Sequence, residues 1–334
     1  MRSKLSMAVR ITVFLLCLIM LYNSISEIMR KKTGGRIDMI HSFYDLKEDS
    51  VDVLVLGSSH AYYGFQPNVL WEEQGYTSYV MGSPEQTIAS SYFLLREALK
   101  YQRPKVVLLE SYFFWYDGLY TSEGRVHAVL DGMRFGKVKQ EALNVYRPDL
   151  SWKEKASWYL PFMMYHNRWG ELEEEDFDKK SYLKGSKPDK KVVSCKDQGV
   201  DMEPVDIPKI NVEYFNKIME LCEQEKMQLV VFAAPYAIQK GERYRKRQGV
   251  NLTLESYLHE KNIPFLFFQK TGEADIDFQN DFRDRTHLNW KGQKKITACI
   301  GEFLYGKYGL ESHAGEAEYT SWDEDYEQYH EEFK

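Results

Sequence analysis

The sequence predicts an open, doubly wound α/β fold, and two observations carry that expectation. Short apolar runs rich in β-branched residues recur along the chain, and segments with apolar residues at helical spacing lie between them. The runs at 51–56 (VDVLVL), 106–109 (VVLL) and 229–234 (LVVFAA) are too short for helices and show no polar face. That is the pattern of parallel strands covered on both sides. Strands alternating with helices imply right-handed crossovers, and such a sheet binds its ligands at the carboxyl ends of its strands.

The elements follow in order. Arg2, Lys4 and Arg10 precede the apolar run 11–22 (ITVFLLCLIMLY), and milder residues continue to Ile28. Roughly 18 to 20 residues of this kind suffice for a membrane-spanning helix. Residues 1–29 are therefore expected to be a cytoplasmic N-terminus and a retained transmembrane signal anchor. The small-x-small triplet Ser24-Ile25-Ser26 is what a cleavable signal peptide would carry instead. Arg30, Lys31 and Lys32 on the far side weaken any orientation argument from flanking charge.

A basic linker at 30–36 leads to the strand at 51–56, which ends in Gly57 and reads as the first central strand. Ile88, Tyr92, Leu95 and Ala98 give 85–100 a helical period, and Pro104 separates that helix from the strand at 106–109. The alternation breaks between 116 and 209, a stretch of roughly 90 residues too long for a structureless loop. It carries YLPF at 159–162, His166 and Arg168-Trp169, and is expected to be a partly helical insertion. Its function is either to bind a sugar or anionic polymer or simply to pack as a lid. The pattern resumes with a helix at 212–226, a strand at 229–234 stopped by Pro235, a helix at 252–261, a strand at 264–268 and a helix at 291–305. One domain over 30–310 accounts for these elements, and no internal repeat occurs. The acidic tail 311–334, with interleaved Tyr, Trp and Phe, is expected to be solvated and partly ordered.

Composition narrows the function. With 28% charged residues and a formal net charge of -6, the chain lacks the basic surplus that tracks a nucleic-acid backbone. Aromatic residues make up 15% of the chain, enough for a face that stacks on sugars or meets a membrane. Cys17, Cys195, Cys222 and Cys299 form no CxxC pair and no zinc-knuckle spacing, so neither a disulfide scaffold nor a cysteine metal site is expected.

Two motifs carry chemistry. Gly57-Ser58-Ser59-His60 follows the first strand directly, where a tight turn holds a serine hydroxyl out at the sheet edge. Asp284-Arg285-Thr286-His287 lies between the last strand and the final helix. The loop after the last strand can reach the loop after the first, so His287 is placed to accept the Ser59 proton while Asp284 bonds the other ring nitrogen. His60 has three readings: a structural histidine, a second site histidine, or a metal ligand with Asp284 and His287. No HExxH motif supports the last. Pro235-Tyr236 ends the fourth strand at the same edge. Asn251-Leu252-Thr253 matches a glycosylation acceptor, a pattern common by chance.

A serine in a GxS turn after the first strand, with Asp-x-x-His before a C-terminal helix, resembles the SGNH (GDSL-like) hydrolase superfamily. LGSSHAYYGFQP at 56–67 and DRTHLNWKG at 284–292 resemble its exported bacterial branch, related to the D-alanyl transfer protein of teichoic acid modification and to polysaccharide O-acetylation proteins. The resemblance implies a flavodoxin-like three-layer sandwich with a central parallel sheet. It implies a triad of Ser59, His287 and Asp284, an oxyanion hole formed by Ser59 and Gly82, and no cofactor or metal. It further implies an extracytoplasmic esterase or O-acyltransferase acting on a cell-surface glycan or teichoic-acid-like polymer. The family's Asn after the third strand is absent, since Glu110-Ser111-Tyr112 stands there. Gln86 or Ser111 is the candidate substitute, and Ser58, His60, Gln86, Ser111 and Tyr236 are the candidate pocket residues. The missing Asn also fits a non-catalytic, polymer-binding accessory protein that partners a membrane-bound O-acyltransferase.

Overall fold

A computed structural model describes residues 2–29, 37–172, 176–177, 181–199 and 203–334. The basic stretch 30–36 expected as a linker lies outside the described residues. Five parallel strands form one sheet: β1 (Val53–Gly57), β2 (Ser78–Gly82), β3 (Val106–Glu110), β4 (Gln228–Ala233) and β5 (Phe265–Phe267), in the order β2-β1-β3-β4-β5. The chain is thus α/β with a central parallel sheet, as its alternating pattern predicts.

Side chains alternate across a strand, and the burial follows that alternation. Val53, Val55, Val106, Leu108, Val230 and Phe232 pack into one core with Leu70 from the helix Pro67–Gln74 and Ile296, Ile300 and Leu304 from the helix Trp290–Tyr308. The intervening residues Leu54, Leu56, Val107, Leu109 and Val231 are equally buried and face the other way, toward the layer made by helices Ile88–Ala98 and Lys209–Gln224. The sheet is therefore the middle of three layers. Its strand order reverses direction at β1, which opens a crevice at the carboxyl ends of β1 and β3.

Three elements differ from the sequence expectation. The helix expected at 252–261 begins much earlier and spans Glu242–Glu260. Its first turns, ERYRKR, have no apolar period, and the helix there is held by packing on the 3-10 turn Tyr112–Trp115. The interruption at 116–209 is divided between two compact units. Residues 134–179 group with 1–35, whereas 36–133 and 180–334 form the unit that contains the sheet. The tail is ordered: Thr320–Glu332 is a helix whose Trp322 and Tyr329 are buried, with Phe333 buried just beyond it. These aromatics recur near a helical spacing: Tyr329 and Phe333 bury against Val69, Tyr182 and Leu183, Trp322 lies 5.8 Å from Trp71, and Trp71 Nε1 donates to Asp323 Oδ1 at 3.0 Å.

In the other unit the helix Arg2–Met29 contains a 20-residue apolar stretch, Met7–Ser26, with mean hydropathy 2.0, long enough to cross a membrane. With it are helices Lys137–Tyr146, Trp152–Tyr159 and Pro161–Tyr165. Ser151 opens the second of these with a reciprocal capping box to Glu154, and Pro161 begins the third at its first position, where a missing N–H is tolerated. All four cysteines are free.

Candidate active site

β1 delivers the serine turn. Gly57 has φ +150°, and a Cβ there would lie 2.5 Å from Glu110 Cβ, so only glycine fits between β1 and β3. Ser58 then caps the one-turn helix Ser59–Tyr62: its Oγ accepts from His60 N at 3.2 Å and donates to Glu110 Oε2 at 3.0 Å. Ser59 is the first residue of that turn. Among the described residues, no hydrogen bond engages its N–H.

The loop after β5 delivers the other two groups. Phe282 and Leu288 form an isolated antiparallel bridge, and Arg283 N donates to His287 O at 3.1 Å, which closes the loop on itself. Within it, Asp284 Oδ1 accepts from Thr286 N at 2.8 Å, Thr286 Oγ1 at 2.9 Å and His287 N at 3.0 Å. His287 Nδ1 lies 3.0 Å from Asp284 Oδ2, and His287 Nε2 lies 2.8 Å from Ser59 Oγ. The structure thus brings Ser59, His287 and Asp284 into one hydrogen-bonded chain across 228 residues of sequence. Burial raises the pKa of Asp284, but the hydrogen bond and charge of His287, with the Thr286 bonds, outweigh it and hold the carboxyl well below its usual range. A carboxylate so held fixes the proton of a neutral imidazole on Nδ1 and leaves Nε2 free to accept.

A second tier steadies this loop. Arg283 Nε donates to Asp189 Oδ2 at 2.7 Å and its Nη1 to Asp284 Oδ2 at 3.3 Å, while the guanidinium lies 4.5 Å over Tyr63. Trp290 N donates to Asp189 O, and Val193 N to Phe282 O. The segment around 189–195 therefore flanks the loop. Arg283 is adjacent to the DxxH motif but was not singled out in the sequence. Nor was Asp189, because nothing local announces a partner 94 residues away.

The other sequence-predicted residues fall around this centre. Gly82 ends β2 in register with Gly57, and a Cβ there would meet Gly57 O at 3.0 Å and Ser58 O at 3.3 Å. His60 is buried, stacked on Tyr112 at 3.5 Å, edge-on to Tyr236 at 5.6 Å and 5.0 Å from the His287 ring. Burial, reinforced by Coulombic repulsion from the neighbouring His287 ring when that is protonated and from Arg247, lowers its pKa, so it stays neutral. Among the described residues, no group of three or more His, Cys, Asp or Glu is arranged to hold a metal. Tyr236 is buried and its hydroxyl accepts from Gln248 Nε2 at 2.8 Å.

Neither substitute for the missing Asn points at Ser59. Gln86 Nε2 donates to Met81 O at 3.2 Å and to Ser91 Oγ at 3.0 Å, which uses both amide protons. Ser111 Oγ donates to Asn251 Oδ1 at 3.2 Å. Asn251 is buried in the helix Glu242–Glu260, which removes the glycosylation reading of its NLT triplet.

Two groups went unread in the sequence. Glu110, the lone acid at the end of β3, is buried and accepts from Tyr112 N at 2.7 Å as well as from Ser58. Burial pushes its carboxyl up to about 8 against the pull of those hydrogen bonds. Arg247 is buried with its guanidinium 4.3 Å over Tyr112 and 4.7 Å over Trp115. His60 stacks on one face of Tyr112, so the cation lies over the other.

Neither a protein-family model nor a curated protein sequence matches the chain. Among solved structures, the chain is similar to a candidate acylhydrolase from Bacteroides fragilis, with 12% identity and a TM-score of 0.40 over 78% of this chain and 90% of that one. It is also similar to a GDSL-like lipase from Bacteroides thetaiotaomicron, with 12% identity and a TM-score of 0.40 over 79% of this chain and 94% of that one.

Proposed function

We propose that the chain is a membrane-anchored serine esterase or O-acyltransferase of the SGNH type, with Ser59 as nucleophile, His287 as general base and Asp284 as the orienting carboxylate. The observation that carries this reading is the 2.8 Å contact of Ser59 Oγ with an imidazole whose other nitrogen meets Asp284 at 3.0 Å. Ser59 Oγ attacks the ester carbonyl as its proton passes to His287 Nε2, and the C–O bond to the leaving alcohol breaks as that proton is returned to it. The unengaged Ser59 N–H, with Gly82 alongside, is assigned to the oxyanion. The acyl-enzyme is then resolved by water or by a hydroxyl of a cell-surface glycan or teichoic-acid-like polymer, with the sheet-bearing unit outside the cytoplasm.

The test is fluorophosphonate labelling of the full chain in detergent, alongside Ser59→Ala and His287→Ala, followed by turnover of p-nitrophenyl acetate. Labelling that disappears in Ser59→Ala and collapses in His287→Ala supports the reading. A folded wild type that takes no label refutes it. One observation favours a second reading, an accessory protein that binds polymer beside a membrane-bound O-acyltransferase: Gln86 and Ser111 are both engaged elsewhere, so neither of these two candidates replaces the missing Asn. Polymer binding without labelling is the outcome that selects it.

A further inference from the structure

The stretch Met7–Ser26 has 20 residues, and at about 1.5 Å per residue it matches a hydrocarbon core of about 30 Å. Most of it is exposed, and only its last residue, Ser26, is buried inside the protein. Its C-terminal end has a fixed neighbour. Tyr22, four residues before the end of the stretch, meets Phe162 edge-to-face with ring centroids 6.0 Å apart. Arg168 Nη1 donates to Met29 O at 2.8 Å, three residues past the stretch. Four residues of helix amount to about 6 Å of depth. A ring touching Tyr22 is therefore within about 6 Å of the hydrocarbon edge, and the short helix Pro161–Tyr165 that carries Phe162 lies at the membrane boundary, not in bulk water.

The side chains beside it match that depth. Leu160 is 42% exposed, Met163 53% and Trp169 59%, an unusual loss of apolar surface to water for one short stretch. Trp169 also packs on Phe162, with centroids 6.5 Å apart. Tryptophan is a residue that settles at the headgroup level with its ring at the acyl boundary, while the neighbouring Arg168 is turned inward, held by Met29 O and by Asp176.

We propose that residues 160–169 form a membrane-interface platform, with Leu160, Met163 and Trp169 seated in the headgroup and upper acyl region around the C-terminal end of the spanning helix. The partner is the lipid bilayer itself. The inference rests on Met7–Ser26 crossing that bilayer, but on no part of the catalytic assignment. It gives the segment expected to be a lid a different role: a collar that fixes the height and tilt of the anchor's exit.

The full chain is reconstituted into phosphatidylcholine–phosphatidylglycerol vesicles carrying lipids brominated near the top of the acyl chain, and tryptophan quenching is compared between wild type, Trp169→Phe and a Leu160→Glu/Met163→Glu double variant. Alkaline carbonate extraction of each sample reports the span independently. The expected result is carbonate resistance in all three and wild-type quenching that falls by at least a third in both variants. Carbonate-resistant protein whose quenching is unchanged in Trp169→Phe overturns the platform, and release by carbonate overturns the spanning premise beneath it.

Discussion

Glu110 makes the turn at the end of β1 sensitive to pH, and Glu110→Gln isolates the effect. An exposed glutamate releases its proton near 4.5, whereas burial pushes Glu110 up to about 8. Between those values the folded protein holds a proton that the unfolded chain has lost. Stability must therefore fall as pH rises through that window, by about 1.4 kcal/mol for each pH unit. The full interval corresponds to roughly 5 kcal/mol, reached near pH 8. Glutamine is neutral throughout, its Oε1 can still accept from Tyr112 N, and its Nε2 can donate to Ser58 Oγ, which takes the place of the present donor at 3.0 Å. Wild type and variant should match near pH 5 and diverge above it. At about 2 to 4 °C per kcal/mol for a unit of this size, the variant should melt roughly 10 °C above wild type at pH 8. Near-UV circular dichroism melts of the full chain in detergent, at one scan rate from pH 5 to 9, measure the gap. Parallel Tm–pH curves would show that Glu110 does not carry the buried proton.

Three further outcomes follow from the geometry. Asp284→Asn keeps the loop closed by its backbone bridge but removes the charge that sets the imidazole tautomer, so fluorophosphonate labelling should slow by about 10²- to 10⁴-fold with Tm shifted by only a few degrees. Gly57→Ala forces a Cβ against Glu110 at an unfavourable φ, and a loss of at least about 2 kcal/mol is expected in urea unfolding, with labelling abolished before global unfolding. Trp322→Ala removes a ring that is 2% exposed, lies tilted 5.8 Å from Trp71 and sits under Lys184, so about 3 to 5 kcal/mol should be lost and limited proteolysis should release the tail. A loss below about 0.5 kcal/mol would mean the tail is the solvated end its acidity suggests.

The parts of the molecule legible in the sequence were those whose signal is local. The runs ending at Gly57, Glu110 and Ala233 announced β1, β3 and β4, because a strand buried on both faces has no polar alternation to blur it. The GSSH motif was readable for the same reason, since it sits at the end of such a run, and DRTH was readable because it lies between the last strand and the final helix, where the topology of a parallel sheet does the joining. What escaped was set by distant partners. The first turns of Glu242–Glu260 carry basic residues without a period, and only their packing on the Tyr112–Trp115 turn makes them helical. The tail hid its helix behind its charge, since Asp and Glu outnumber the aromatics that bury it. Asp189 and Glu110 are ordinary acids until Arg283 and Ser58 stand beside them.

Two serines stand side by side in the turn after β1, Ser59 proposed as the nucleophile and Ser58 expected only as a pocket residue. Their hydrogen bonds make them unequal. Ser58 Oγ is occupied on both sides, giving its proton to Glu110 and receiving one from the backbone of His60, and its residue is 1% exposed. On the proposed assignment, a molecule that loses Ser59 therefore holds no understudy for it one residue away. Any revertant selected from a Ser59→Ala strain should restore position 59 itself, and a serine-directed inhibitor aimed at this turn has a single atom at which resistance and loss of function coincide.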